Sequence, residues 1–253
     1  MNETIGQEFM RRTQPFYVGQ TQQMDGKTQP PLEIPIPENG NLVALPNAET
    51  IHFPALDVRT AIDSRVSVRR YAETSLSLEE LSYLLWCTQG IRQTTSRPVT
   101  LRTVPSAGAR HAFETYLLIK SVAGLTPGLY RYVASQHALL ELDISTTIHE
   151  KISTACFSQK MVESDAITFI WVAVTERMAW RYGERAYRYL HLDAGHVCQN
   201  LYLAAEPIDC GVCAVAAFED NDLNTSLRLD GKSMFAIYLA TVGKKLHNDS
   251  AEE

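Results

Sequence analysis

The sequence predicts an α+β fold, a mainly antiparallel central sheet flanked by helices, and three observations predict it. Short apolar runs rich in β-branched and aromatic residues recur between residues 114 and 242. Turn-forming pieces only a few residues long separate several of them, which joins strands as hairpins rather than as parallel crossovers. Helical stripes fall at 77–89 and 185–205, in no regular alternation with the strands.

Each element has its own warrant. "SLEE", residues 77–80, is a capping box in which Ser77 caps a helix and Glu80 reaches back. Leu78, Leu81, Leu84 and Leu85 then share one helical face. "ETYLLIK" (114–120), "GLYRYV" (128–133) and "HALLEL" (137–142) read as successive strands, with turns at "PG" (127–128) and "ASQ" (134–136). A helix around 145–157 and the strand "AITFIWVAVT" (166–175) follow. Residues 185–205 are helical, with Ala186, Leu190, Ala194, Val197 and Leu201 on one stripe, and Pro207 stops them. "VCAVAAF" (212–218) and "FAIYLATV" (235–242) are the last strands, and no internal repeat is visible.

Two domains of unequal kind are expected. Seven of the eleven prolines lie in residues 1–54. "QPPLEIPIPENGNLVALP" cannot form a regular helix, and X-Pro steps favour extended chain. A disordered tail is the plainer reading; the segment's apolar beads Leu32, Ile34, Ile36, Leu42, Val43 and Leu45 favour a proline-rich extended arm over 1–56 that wraps the domain or a partner subunit. Residues 57–253 form the globular domain.

The balance of charge narrows the function. The chain has 253 residues, 45% hydrophobic content and a formal net charge of −6. That balance argues against a general nucleic-acid or membrane-surface binder, which needs broad positive charge. No run is apolar enough to span a bilayer and the N-terminus lacks a signal-peptide core, so a cytoplasmic protein is expected. The five cysteines include one C-x-x-C, Cys210 and Cys213. A redox pair would open a helix, whereas this pair opens a strand-like run, so buried structural thiols are expected. No second C-x-x-C completes a zinc site, and no metal is expected.

Against that acidic background "SRVSVRRY", residues 64–71, stands out. In extended chain, alternation puts Arg65, Ser67 and Arg69 on one side and sends Val66 and Val68 into the core. Two guanidinium forks and a hydroxyl suit a phosphate. A solvated charged loop is the plainer alternative. "PSAG", Pro105–Gly108, is a small turn that lets backbone approach a flat ligand closely.

These pieces, with "GLYRY", "RYGERAYRYLHLDAGHVCQNLYLAA" and "DCGVCAVAAF" following in order, resemble the nitroreductase superfamily of flavin proteins. Within it the likeness, running from about residue 57 to about 245, is strongest to SagB-type (thiazole/oxazole-forming) dehydrogenases. The resemblance implies FMN held without a covalent bond at a homodimer interface. It implies that Arg65, Ser67 and Arg69 hold the phosphate and ribityl chain, with Val66 standing where a second arginine is usual. Pro105, Ser106, Ala107 and Gly108 would face the isoalloxazine. Ala214, Val215, Ala216 and Ala217 would run past it, with an N–H of Ala216 or Ala217 donating to flavin N5. Lys244 would add a cation on the phosphate side.

The same resemblance places a Lys-Tyr pair for proton abstraction where this chain has Arg181 and Tyr182. Arginine stays protonated, so Arg181 cannot serve as a base. It can bind a carboxylate or favour the tyrosinate of Tyr182. Alternatively Arg181, Glu184, Arg185 and Arg188 form ion pairs on a helix surface. The leading expectation is an FMN-dependent dehydrogenase of a heterocycle such as a thiazoline or oxazoline in a peptide or small molecule. The alternatives are an NAD(P)H-dependent reductase of nitro, quinone or enone compounds, and a non-enzymatic subunit of a peptide-modifying complex.

Overall fold

A computed structural model describes residues 3–96 and 99–247. Nine strands are present among them: β1 (Leu42–Ala44), β2 (Ile91–Thr94), β3 (Thr100–Arg102), β4 (Phe113–Ile119), β5 (Gly128–Val133), β6 (Ala138–Asp143), β7 (Ile167–Val174), β8 (Cys210–Val215) and β9 (Met234–Lys244). The helices are α1 (Ile5–Arg12), α2 (Pro15–Val18), α3 (Val58–Ser64), α4 (Leu78–Gln89), α5 (Ile148–Ala155), α6 (Lys160–Ser164), α7 (Thr175–Tyr182), α8 (Ala186–Ala205) and α9 (Asp220–Ser226). Seven strands form one sheet in the order β1-β6-β5-β4-β7-β9-β8, and β2 and β3 make a separate hairpin. Every ladder in the large sheet is antiparallel.

Both faces of the sheet are covered, which is why its central strands read as unbroken apolar runs. On one face Leu117, Ile119, Phe169 and Trp171 pack with Leu81, Leu84 and Leu85 of α4 and Leu190, Val197 and Leu201 of α8. On the other, Tyr116, Leu118, Ile170 and Val172 pack with Ile148 and Ile152 of α5 and Leu223 of α9. The period of two along β4 and β7 divides the two cores. The capping box at Ser77 and Glu80 is formed as expected.

Several details differ from the expectation. The helix expected at 145–157 is the shorter Ile148–Ala155. The strand expected at 212–218 pairs only as Cys210–Val215, so Ala216 and Ala217 lie beyond the ladder. Val66 does not enter the core but is 57% exposed. The reason is local: Arg65 is the C-cap of α3, so strict alternation does not begin there.

The N-terminal residues contain two helices and then an extended run laid over the chain's own domain. Arg177 Nε donates to Pro31 O at 2.8 Å, and Arg131 Nη1 to Ile34 O at 2.8 Å. Ile34 N–H donates to Glu114 Oε1 at 2.9 Å, Trp180 Nε1 to Lys27 O at 2.8 Å and Gln23 N–H to Trp180 O at 2.8 Å. No described helix is long and apolar enough to cross a membrane.

Candidate functional site

The arginine stretch is fixed to the edge of the sheet. Ser67 forms a parallel bridge with Val212, and Val68 N–H donates to Val212 O at 2.9 Å. Val68 packs on Gly211, where an added Cβ would lie 2.5 Å from Val68 Cβ. Tyr71 Oη donates to Val68 O at 2.8 Å, closing the loop from behind. Arg65 lies over the Tyr202 ring, 5.2 Å from its centroid, and Ser67 Oγ is 3.0 Å from Tyr202 Oη. The Ala214 N–H donates to the same Tyr202 oxygen at 2.9 Å. Tyr202 therefore ties the arginine stretch to the small-residue strand. Arg69 is exposed, and its charge acts on Cys213, next to Ala214. Among the described residues Arg65, Arg69 and Arg70 form no ion pair.

The strand wall is divided. Val215 is buried in the second core, Ala214 is half-buried against the first, and Ala216 and Ala217 are exposed. Cys210 and Cys213 are buried, and three positions apart on a strand they face opposite sides. Burial pushes the Cys210 thiol up to about 12 and raises that of Cys213, which suits inert thiols. Lys244 is engaged elsewhere: its ammonium pairs with Glu80 and donates to Ile208 O at 2.8 Å.

A second cluster forms around the Pro105–Gly108 turn. The Ala107 N–H reaches Asp193 Oδ1 of α8 at 3.3 Å, and Ser106 Oγ accepts from the His111 N–H at 2.9 Å. Burial raises the Asp193 carboxyl above its usual range, opposed by its hydrogen bonds to Ser106 and Ala107. Asp193 Oδ2 is buried with no partner among the described residues. Gly108 (φ 57°), Ala109 (φ 51°) and His111 (φ 42°) are left-handed, so this loop holds strain at two non-glycine positions. A Cβ on Gly108 would lie 2.5 Å from Tyr182 Oη and 3.1 Å from Arg181 Nε, so only glycine admits these side chains. Arg110 Nε donates to Gly108 O at 3.0 Å and its guanidinium lies over the Trp180 ring at 5.3 Å. Arg181 lies over the Tyr182 ring at 5.7 Å, and Tyr182 meets Tyr189 edge-on at 4.7 Å. His111 is pushed down to about 3 by burial and by the charges of Arg102 and Arg110.

The surface ion pairs expected for Arg185 and Arg188 are not formed among the described residues. Arg185 donates to Tyr189 Oη and to Thr13 O, and Arg188 to Met10 O and Thr13 Oγ1. Both tie the N-terminal helices to the Tyr182 corner.

The two clusters thus gather the expected residues into two groups. Arg65, Ser67 and Arg69 meet Ala214; Pro105–Gly108 meet Arg181 and Tyr182. Their anchors on α8, Asp193 and Tyr202, are nine residues apart. At 100° and 1.5 Å per residue that is opposite flanks of the helix, about 14 Å apart along its axis. Between the flanks runs an exposed ridge of Leu192, Gly195 and Gln199. Tyr202, Asp193 and Arg110 do not stand out in the sequence. For Tyr202 and Asp193 the available signal is a polar group beside an apolar helical stripe; for Arg110, a charge inside an otherwise small turn.

The nitroreductase family model matches residues 62–244, and the chain belongs to that family. A Methanocaldococcus jannaschii protein described as a nitroreductase is 31% identical over 204 residues, covering 81% of this chain and 96% of that one. The trifolitoxin-processing protein TfxB of Rhizobium leguminosarum is 29% identical over 133 residues, 51% of this chain and 36% of its own length. Among solved structures, an Anabaena variabilis protein described as a nitroreductase superposes with a TM-score of 0.68 at 26% identity, over 83% of this chain and 42% of that chain. A chain of the Escherichia coli microcin synthetase McbBCD complex with truncated pro-MccB17 bound gives 0.60 at 17% identity, over 97% of this chain and 96% of its own. A Desulfovibrio desulfuricans nitroreductase-like protein in complex with FMN gives 0.54 at 17%, over 79% and 92%.

Proposed function

We propose that the chain is an FMN-dependent oxidoreductase that acts as a homodimer and uses NAD(P)H to reduce nitro, quinone or enone compounds. The observation that carries this is the Arg65, Ser67 and Arg69 cluster, fixed by main-chain bridging yet left without an acidic partner among the described residues. The donor set fits a flavin phosphate. Its guanidinium groups are uncommitted, a hydroxyl stands between them in sequence, and the neighbouring Ala214, Ala216 and Ala217 are small enough for a ring to approach. Bound there, FMN would supply hydride chemistry. Arg65 and Arg69 would hold the phosphate by charge-assisted hydrogen bonds, Ser67 would add a neutral one, and an N–H of Ala216 or Ala217 would donate to the ring. Lys244 has no part in this reading, since Glu80 already neutralises it.

The placement of the two groups supports the homodimer. They flank α8 on opposite sides, so a second copy, packed on the ridge of Leu192, Gly195 and Gln199, would bring its Pro105–Gly108 turn towards the first copy's arginines. Tyr182, held by Gly108, Tyr189 and Arg181, would then face the substrate, and only in the oxidation described next would it have to take a proton.

A second reading is oxidation of a thiazoline or oxazoline, alone or within a peptide-modifying complex. It is favoured by the match of the microcin synthetase chain across 97% of this chain, against 83% and 79% for the Anabaena and Desulfovibrio structures. The match to the trifolitoxin-processing protein points the same way.

Steady-state turnover separates the two. The reductase reading expects NAD(P)H to bleach the flavin and quinones or nitroaromatics to restore it, with Tyr182→Phe changing little, because water can protonate those products. The dehydrogenase reading expects turnover of an azoline peptide in air without NAD(P)H. There Tyr182→Phe lowers the rate by ~10²–10⁴-fold and removes one limb of the pH–rate profile.

A further inference from the structure

Beside Tyr182 the protein holds two positive charges that meet no acid among the described residues. Arg110 is only 4% exposed, yet among those residues its guanidinium meets one neutral carbonyl, that of Gly108, and the face of Trp180. Its charged neighbour is another arginine, Arg181, which is also without an acidic partner. The remaining donors of Arg110 bond to no described residue. Those donors are not sealed from solvent, so the charge is partly hydrated, but its enclosure and the like charge beside it favour an anion there. Burial and Arg181 together do push the Arg110 guanidinium below its ordinary value. Other buried arginines spend their donors inside the chain: Arg131 and Arg177 share Glu114, and Arg102 bonds to Gln89 and Thr100.

We propose that Arg110 and Arg181 form an anion-binding pair on the Tyr182 side of the site, and that the substrate carries a carboxylate close to its reacting atoms. A guanidinium fork matches a planar carboxylate with two parallel hydrogen bonds, and two forks around one carboxylate restore the missing balance of charge. The Gly108 contact sets the position: the same backbone carbonyl holds Arg110, and the same missing Cβ admits Arg181 and Tyr182. Selectivity for an acidic substrate would thus come from the loop that also faces the flavin. This inference rests on the reading that Tyr182 faces the substrate.

Calorimetric titration of the FMN-loaded protein with benzoate and with benzamide tests it without requiring turnover. Benzoate should bind at least tenfold tighter than benzamide. Arg110→Gln and Arg181→Gln should each weaken benzoate by roughly tenfold or more and leave benzamide unchanged. Arg110→Lys, which keeps the charge and can still stack on Trp180, should keep part of the preference and shows that the loop is intact. Equal binding of the two probes, or a preference that survives the Arg110→Gln/Arg181→Gln double substitution, overturns the proposal. If Arg110 instead gripped the flavin phosphate, Arg110→Gln would weaken FMN more than riboflavin, and that result also overturns it. The reading that Tyr182 faces the substrate fails separately: Tyr182→Ala without effect on the KM of any turned-over substrate removes it, while a benzoate preference lost with the arginines would still stand.

Discussion

Two sets of arginines in this molecule obey opposite rules. Under the N-terminal run, Arg131 and Arg177 are 2% and 4% exposed and close on the two oxygens of Glu114, at 3.4 and 2.5 Å. The main-chain carbonyls of Pro31, Ile34 and Pro35 take further donors from them. At the candidate site, Arg65, Arg69, Arg110 and Arg181 have no acid among the described residues. A compensated arginine is a structural fixture whose partner is written into the chain. Among the described residues Arg102, Arg185 and Arg188 also lack an acid but spend donors on neutral groups of the chain, whereas the four at the candidate site keep donors open to a partner from outside it. The distinction matters more than burial, because Arg110 is as buried as Arg177.

The largest expected effect breaks the uncompensated set. Arg65→Ala with Arg69→Ala removes two charge-assisted phosphate contacts of about 1.5–3 kcal/mol each, or two to four decades of FMN affinity. Riboflavin binding should change far less, and fluorescence titration of both flavins shows whether it does. The melting temperature without flavin should stay nearly constant, since no intramolecular ion pair is lost.

Glu114→Gln is the reverse case. It leaves Arg131 and Arg177 buried without their acid and also weakens the bond from the Ile34 N–H, at a cost of about 3–5 kcal/mol in stability. Denaturant unfolding measures that loss. Limited proteolysis should then cut first between residues 20 and 40, where the run has lost its central anchor. A stability within about 1 kcal/mol of the parent would remove the contrast between the two sets.

An effect that is small near neutral pH and grows only in acid concerns His111. His111 follows Arg110 in the strained loop and is held near 3 against an ordinary 6.5. Its folded value is depressed, so between those limits the unfolded chain binds the proton more readily. Stability is present in full above pH 6.5 and falls as the pH drops towards 3, by up to about 1.4 kcal/mol per pH unit. His111→Asn, which tolerates the left-handed backbone, should flatten that slope in melting curves taken across the range.

Much of the fold is legible in the order of the residues alone. The strands are readable because the sheet is covered on both sides and its central runs are apolar throughout. The capping box at Ser77 is a local motif, so local reasoning suffices for it. The arginine stretch stands out for the same reason, as a dense local run of one charge. What cannot be read is the part set by distant contacts. Alternation sends Val66 to the core, but Arg65, ending α3, does not begin that alternation. Lys244 looks free because Glu80 lies 164 residues away in the chain. Asp193 and Tyr202 look like ordinary members of a helix until the loop at 105–111 and the stretch at 65–69 are laid against them. Arg110 draws notice only from surroundings that hold no acid for it among the described residues.

The N-terminal run has a consequence for how the molecule is made. Its carbonyls are held by side chains that leave the ribosome much later: Pro31 waits for Arg177, 146 residues on, and Met10 for Arg188, 178 residues on. At 5–20 residues per second those delays are roughly 7–36 s. Throughout that interval the first forty residues have no surface to lie on. The apolar side chains of α1, Ile5, Phe9 and Met10, stay exposed even in the folded structure, so docking there rests on polar bonds more than on burial. The prolines gain a second use in this light. They keep the waiting segment from pairing as a strand with a neighbouring chain, so the last piece to dock is also the piece least able to aggregate before it does.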